Sequence, residues 1–127
     1  MGKELDLAKR AALEGGKILM KYYGKVSIRY KDDKSITTEA DLASEKKIKS
    51  ILKGEFPSYS LLGEEFGLEK GTSYYIWAID PLDGTTNYCM RNPFFNVSIA
   101  LAYKSEPVIG VVYYPIMKEI FYAEKGK

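Results

Sequence analysis

Asp80 and Asp83 flank Pro81-Leu82, and Gly84, Thr85, Thr86 and Asn87 follow directly. Two carboxylates and the Leu82 carbonyl gathered on one turn are hard oxygen donors, the kind that hold a divalent cation. Gly84 permits close backbone approach, and Thr85-Thr86-Asn87 can open a short helix whose free N–H groups favour an anion. The chemistry offered is a cation site beside a phosphate site. Taken alone, two aspartates around a proline also make an ordinary surface turn. An EF-hand does not fit, because the positions one, three and five before the glycine are Asp83, Pro81 and Ile79.

Elements on either side must position these groups. Tyr74 to Ile79 is an apolar, strand-like run. Residues i and i+3 of a strand point to opposite faces, so Asp80 and Asp83 converge only if the chain leaves the strand at Asp80. Pro81 is expected to force that exit, since it fixes φ and supplies no N–H to a ladder. Upstream, Leu5, Ala8, Ala12, Gly15/Gly16, Leu19 and Tyr22/Tyr23 recur at helical steps and predict an amphipathic helix ending near Gly24. Short extended segments follow over 26–38. A second helix is predicted from about Asp41 to Lys53, with Leu42, Ile48, Ile51 and Leu52 on its buried side. Thr38-x-x-Asp41 has the form of a capping box at its start. After a short Leu61-Leu62 segment and the Tyr74–Ile79 strand, three more strands are predicted: Asn96–Tyr103, Val108–Tyr114 and Glu119–Ala123. Short polar or proline-containing links between them imply an antiparallel meander. The fold class is α+β, a layered sandwich with two N-terminal helices packed on a mainly antiparallel sheet.

Composition narrows the chemistry further. The 127 residues contain no histidine and one cysteine, Cys89. That removes Ser-His-Asp and Cys-His nucleophile systems, His-bearing zinc sites and any intrachain disulfide. Carboxylates, hydroxyls and a bound metal remain, and magnesium suits that inventory. The net charge of +2 is spread along the chain, which gives no sign of a nucleic-acid-binding face. No stretch approaches the roughly 20 apolar residues of a membrane span. The start, Met1-Gly-Lys-Glu-Leu-Asp, enters a helix rather than a signal-peptide core, so cytoplasm is the expected location.

Trp77 with Asp80-Pro-Leu-Asp-Gly-Thr85 resembles the signature of the inositol monophosphatase family, magnesium-dependent and typically lithium-sensitive phosphomonoesterases. Gly63-Glu64-Glu65, Thr37-Thr38-Glu-Ala-Asp41, Gly110-Val-Val-Tyr-Tyr-Pro115 and Ala123-Glu-Lys-Gly126 match further elements of that family in the same order. The resemblance implies metal ligation by Glu64, Asp80, the Leu82 carbonyl and Asp83, with Asp80 bridging two ions. Two or three Mg2+ ions would serve the complete enzyme. It further implies substrate contact through Glu64, Leu82, Asp83, Gly84 and Thr85, the last two through backbone N–H groups. A metal-bound water, oriented by Glu64 and by Thr85 with Asp41 behind it, would attack phosphorus directly. Glu65 is expected behind the ligands or at a weak third metal site, and Lys34 matches a basic position near the site. Trp77 is expected in the core and Cys89 as a packed free thiol.

The implied substrate is an inositol monophosphate or a related sugar phosphate. Fructose 1,6-bisphosphate and 3′-phosphoadenosine 5′-phosphate are the alternatives, and a non-catalytic binding or assembly module is a third reading. Members of the family run to roughly twice this length, which places residues 1–127 as an N-terminal α+β domain without its C-terminal α/β half. That half carries a Trp-Asp motif completing the second metal site. The implied partner is a complementary C-terminal half, or a second copy in a full-length homodimer. Without its cover, an apolar face would be exposed.

Overall fold

The computed structural model describes residues 2–33 and 35–127. In chain order the elements are α1 (Gly2–Tyr22), β1 (Ile28–Tyr30), β2 (Ile36–Thr38), α2 (Glu39–Glu55), β3 (Ser60–Gly63) and β4 (Gly67–Glu69). They continue as β5 (Tyr75–Asp83), α3 (Thr85–Cys89), β6 (Asn96–Tyr103), β7 (Glu106–Tyr114) and β8 (Glu119–Glu124). The strands form a small β1-β2 hairpin and a six-stranded sheet of order β4-β3-β5-β6-β7-β8. The expected antiparallel meander is β5 to β8, while β3 lies parallel to β5 and forms an antiparallel hairpin with β4. This is the α+β architecture expected, with β4 and the parallel pair added. No helix among the described residues is long and apolar enough to cross a membrane.

Helix α1 buries Leu7, Ala8, Ala11, Ala12, Gly15, Gly16 and Leu19. A Cβ on Gly15 would stand 2.8 Å from Ile48 Cδ1, and Gly16 lies under the Tyr113 ring. The glycine pair costs about 1 kcal/mol per residue in helix propensity, and it lets α1 approach both α2 and β7. Both long helices cover one face of the large sheet, where Leu61, Trp77, Ile79, Ile99, Leu101, Ile109 and Val111 join Ile48 and Leu52 in the core. The indole of Trp77 is fully buried beside the Phe56 and Tyr59 rings, a core residue as expected.

The opposite face carries one row of leucine, alanine and glycine residues across the strands. Register aligns Leu68 with Leu62, Leu62 with Ala78, Ala78 with Ala100, Ala100 with Gly110, and Gly110 with Ala123. This row lies open: Leu62, Leu68, Ala78 and Ala123 are exposed.

The buried side of α2 differs from the expectation. Leu42 is only half-buried, and the first turns present Ala40, Asp41, Ser44 and Glu45 inward instead, before Ile48 and Leu52 take over. The apolar face of this helix begins only at Ile48, beyond the polar residues of its first turns. Each of these polar side chains finds a hydrogen-bonding partner inside the fold, so burial does not leave it unpaired.

Candidate cation and phosphate site

The Asp80–Asp83 segment is built differently from the sequence expectation. Pro81 does not end the strand. β5 runs on to Asp83, and its register against β6 shifts: Asp80 pairs with Ser98 and Asp83 with Asn96. Three steps along β5 thus match two along β6, which is a one-residue β-bulge. Burial follows the change of phase. Trp77, Ile79 and Pro81 alternate inward, then Leu82 is also buried and Asp83 emerges on the same side as Asp80. Proline is tolerated because a bulge already interrupts the ladder that its missing N–H would have served. Ser44 of α2 secures the bulge by donating its hydroxyl to the Pro81 carbonyl at 3.0 Å.

Gly84 follows with φ +86, the left-handed region that glycine adopts without strain, and a Cβ there would lie 2.9 Å from the Phe94 carbonyl. It caps α3, and no side chain caps the first amides of that helix. Thr85 stands at the helix start. Its hydroxyl lies 3.3 Å from Asp41 Oδ1 and 3.3 Å from the Leu82 carbonyl, with one proton to give to either.

Asp41 holds a double post. Its Oδ2 accepts from the Thr38 N–H at 2.8 Å and the Thr38 hydroxyl at 2.7 Å, closing the capping box, while Oδ1 faces Thr85. Burial raises its carboxyl above the ordinary aspartate value, against the pull of the Thr38 hydrogen bonds.

Glu64 reaches the site by sheet register. Gly63, the last residue of β3, pairs with Ile79, so the next residue on each strand is Glu64 beside Asp80. Burial, the neighbouring Glu64 carboxylate and Asp83 together push Asp80 well above the usual carboxylate range. Glu64 also faces Lys31 at 3.9 Å, and Asp83 accepts from Asn96 Nδ2 at 3.4 Å. The acids are neighbours without forming a closed cage: among the described residues no group of three acidic side chains is gathered tightly enough to hold a metal ion. The donor chemistry nevertheless fits magnesium. Carboxylates and a carbonyl are hard ligands, and the Glu64 and Asp83 charges that add to burial in raising Asp80 are an excess of negative charge that a divalent cation relieves.

Glu64, Gly84, Thr85, Thr86, Asn87, Ser35 and Ile36 line one cleft of about 370 Å3. Glu65 turns elsewhere: its carboxylate pairs with Lys31 at 2.8 Å and accepts from the Thr37 hydroxyl at 2.7 Å, tying β1-β2 to the β3-β4 turn. Lys34 lies outside the described residues. Cys89 is half-buried and its thiol is pushed up by burial, as suits a packed free cysteine. Ser44 and Glu45 were missed from the sequence. Their only signal is polar residues repeating at helical steps from Asp41, which reads equally as a solvated face.

A profile of the inositol monophosphatase family matches residues 3–127, and the chain belongs to that family. It is 42% identical to the fructose-1,6-bisphosphatase/inositol-1-monophosphatase of Aquifex aeolicus, covering 98% of this chain and 48% of the relative. It is 38% identical to the Nus factor SuhB of Pseudomonas aeruginosa, over 97% of this chain and 48% of that protein. Among solved structures, the extragenic suppressor protein suhB of Bartonella henselae superposes with a TM-score of 0.93 at 35% identity, over 98% of this chain and 50% of that one. The chain thus spans about half the length of the curated relatives it matches.

Proposed function

We propose that this chain supplies the cation and phosphate half of a magnesium-dependent phosphomonoesterase acting on inositol monophosphate or a related sugar phosphate. The observation that carries the reading is the shared cleft, lined by Glu64 and by the uncapped start of α3 at Gly84–Thr85. Glu64, Asp80, Asp83 and the Leu82 carbonyl would hold Mg2+. When bound, Mg2+ neutralises phosphoryl oxygens, activates water and stabilises the leaving alkoxide. The Gly84 and Thr85 amides orient the phosphate. Glu64 and the Thr85 hydroxyl direct the attacking water, and Asp41 accepts the Thr85 proton so that the hydroxyl oxygen can accept from that water. This chain supplies no imidazole to protonate the leaving group.

Fructose 1,6-bisphosphate is the substrate alternative, favoured by the name of the Aquifex relative. A binding or assembly role is a second reading, favoured by the relative named as a Nus factor. The fitting partner is a complementary C-terminal half that covers the open sheet row and completes the second metal site.

The test is a Mg2+-dependent phosphatase assay of residues 1–127, alone and with a supplied C-terminal half. The substrates are inositol 1-phosphate, fructose 1,6-bisphosphate and adenosine 3′,5′-bisphosphate. Turnover with the second half present supports the reading and ranks the substrates. Folded protein inactive in both formats sinks the phosphatase reading and leaves the binding role.

A further inference from the structure

Asp41, Ser44 and Glu45 occupy one face of α2, and each grips a different part of the site: Thr85, the Pro81 bulge and the Glu64 turn. The first two grips end on residues already assigned a part. Glu45 has no such assignment, and its contacts are the most specific of the three.

Glu45 is fully buried, yet it forms no ion pair among the described residues. Its Oε1 accepts from the Glu65 amide and its Oε2 from the Phe66 amide, each at 2.8 Å. These are the two amides directly after Glu64, in the tight turn between Gly63 and Gly67. Gly63 leaves the room: a Cβ there would collide with the Glu45 carboxylate. A buried carboxylate is costly unless its oxygens are matched, and two charge-assisted hydrogen bonds of good length match it. The turn is thereby fixed from below, while the Glu64 side chain stays exposed above it.

We propose that Glu45 is the positioning residue of the Glu64 turn, fixing the Glu64 carboxylate beside Asp80 where it would serve as a ligand to a divalent cation. The inference rests on the reading of Glu64 as a cation ligand. The carboxylate is required for its symmetry as an acceptor. A Gln amide offers one oxygen and one NH2, and its NH2 meets a second N–H head on. An Asp is one methylene too short to keep both bonds. Groups that orient a ligand from behind it typically carry 10–100-fold in metal affinity.

The experiment titrates Mg2+ alone into residues 1–127 by calorimetry, comparing wild type with Glu45→Gln and Glu45→Asp. Tyr59→Phe serves as a control, removing a remote hydrogen bond to Glu4. Circular dichroism and thermal melts verify each fold. The expected result is Mg2+ binding about 10–100-fold weaker in both Glu45 variants, with Tyr59→Phe losing stability but not affinity. Wild-type affinity in a folded Glu45 variant overturns the proposal and leaves the cation site standing. A wild type that binds no Mg2+ overturns the site reading and the proposal with it. Should both variants unfold, amide exchange in the wild type decides. Glu65 and Phe66 amides protected well beyond Glu64, and perturbed by Mg2+, support the clamp, whereas unprotected or Mg2+-insensitive amides overturn it.

Discussion

Two short segments bring Glu64 and Asp80 side by side by opposite means. Asp80–Thr85 is shaped mainly by its own residues: a bulge sets the phase, Pro81 tolerates the broken ladder, and Gly84 turns the chain into α3. The Gly63–Gly67 turn carries Glu64 but has little shape of its own; register against β5 and the buried Glu45 place it. The difference teaches that a ligand can be encoded locally or held from a distance, and that only the local kind leaves a readable motif.

Mutations can sharpen or break that contrast. The largest effect is expected from Asp83→Asn, which removes a ligand charge without changing shape. Phosphatase activity with the C-terminal half present should fall by about 100-fold or more while the thermal melt is kept, and an active variant reduces Asp83 to a turn residue. Gly63→Ala comes next. It drives a methyl into the Glu45 carboxylate and unpairs a buried charge, at a cost of about 3–5 kcal/mol in urea unfolding. A near-neutral result would show that the clamp yields easily. In the locally built segment, Gly84→Ala meets left-handed strain and the Phe94 carbonyl, and should cost about 1–2 kcal/mol by the same measurement. Ser44→Ala strips one hydrogen bond from the buried Pro81 carbonyl, for about 1 kcal/mol. If Ser44→Ala costs more than Gly63→Ala, the bulge is the remotely held segment and the contrast inverts.

The smallest effect concerns pH. Asp80 has its carboxyl raised in the fold, so the folded chain holds that proton more tightly than the unfolded chain does. With chelator present, its contribution is fully present below about pH 4 and lost as pH rises through the raised value. Asp80→Asn should flatten that part of the melting-temperature profile. An unchanged slope would mean that neither burial nor the neighbouring acids raise the Asp80 carboxyl.

Much of this was legible from residues alone. The long helices announced themselves through apolar steps, the Thr38–Asp41 capping box through its spacing, and the β5–β8 meander through its short links. Asp80, Asp83, Gly84 and Thr85 could be read because their chemistry and geometry share one segment. The bulge was misread as a strand end because proline signals an interrupted ladder without saying how the interruption is resolved. β4 escaped notice because Gly67-Leu-Glu69 is short and only its pairing with β3 makes it a strand. Ser44 and Glu45 were hidden for a deeper reason: hydropathy patterns look for apolar residues inside, and these are polar residues satisfied inside by distant backbone.

The bulge also makes this part of the chain intolerant of changes in length. Deleting Leu82 would restore strict alternation along β5 against β6 with Asp80 and Asp83 still on one face, but the extra carbonyl between them and a buried side chain would be lost. A loss of one residue there takes a donor oxygen and a core side chain out of the signature. At the Lys104-Ser105 link between β6 and β7, beyond the ends of the ladder, an added residue only lengthens a turn. Permitted insertions and deletions in this chain should therefore cluster at such links and spare the six positions from Asp80 to Thr85.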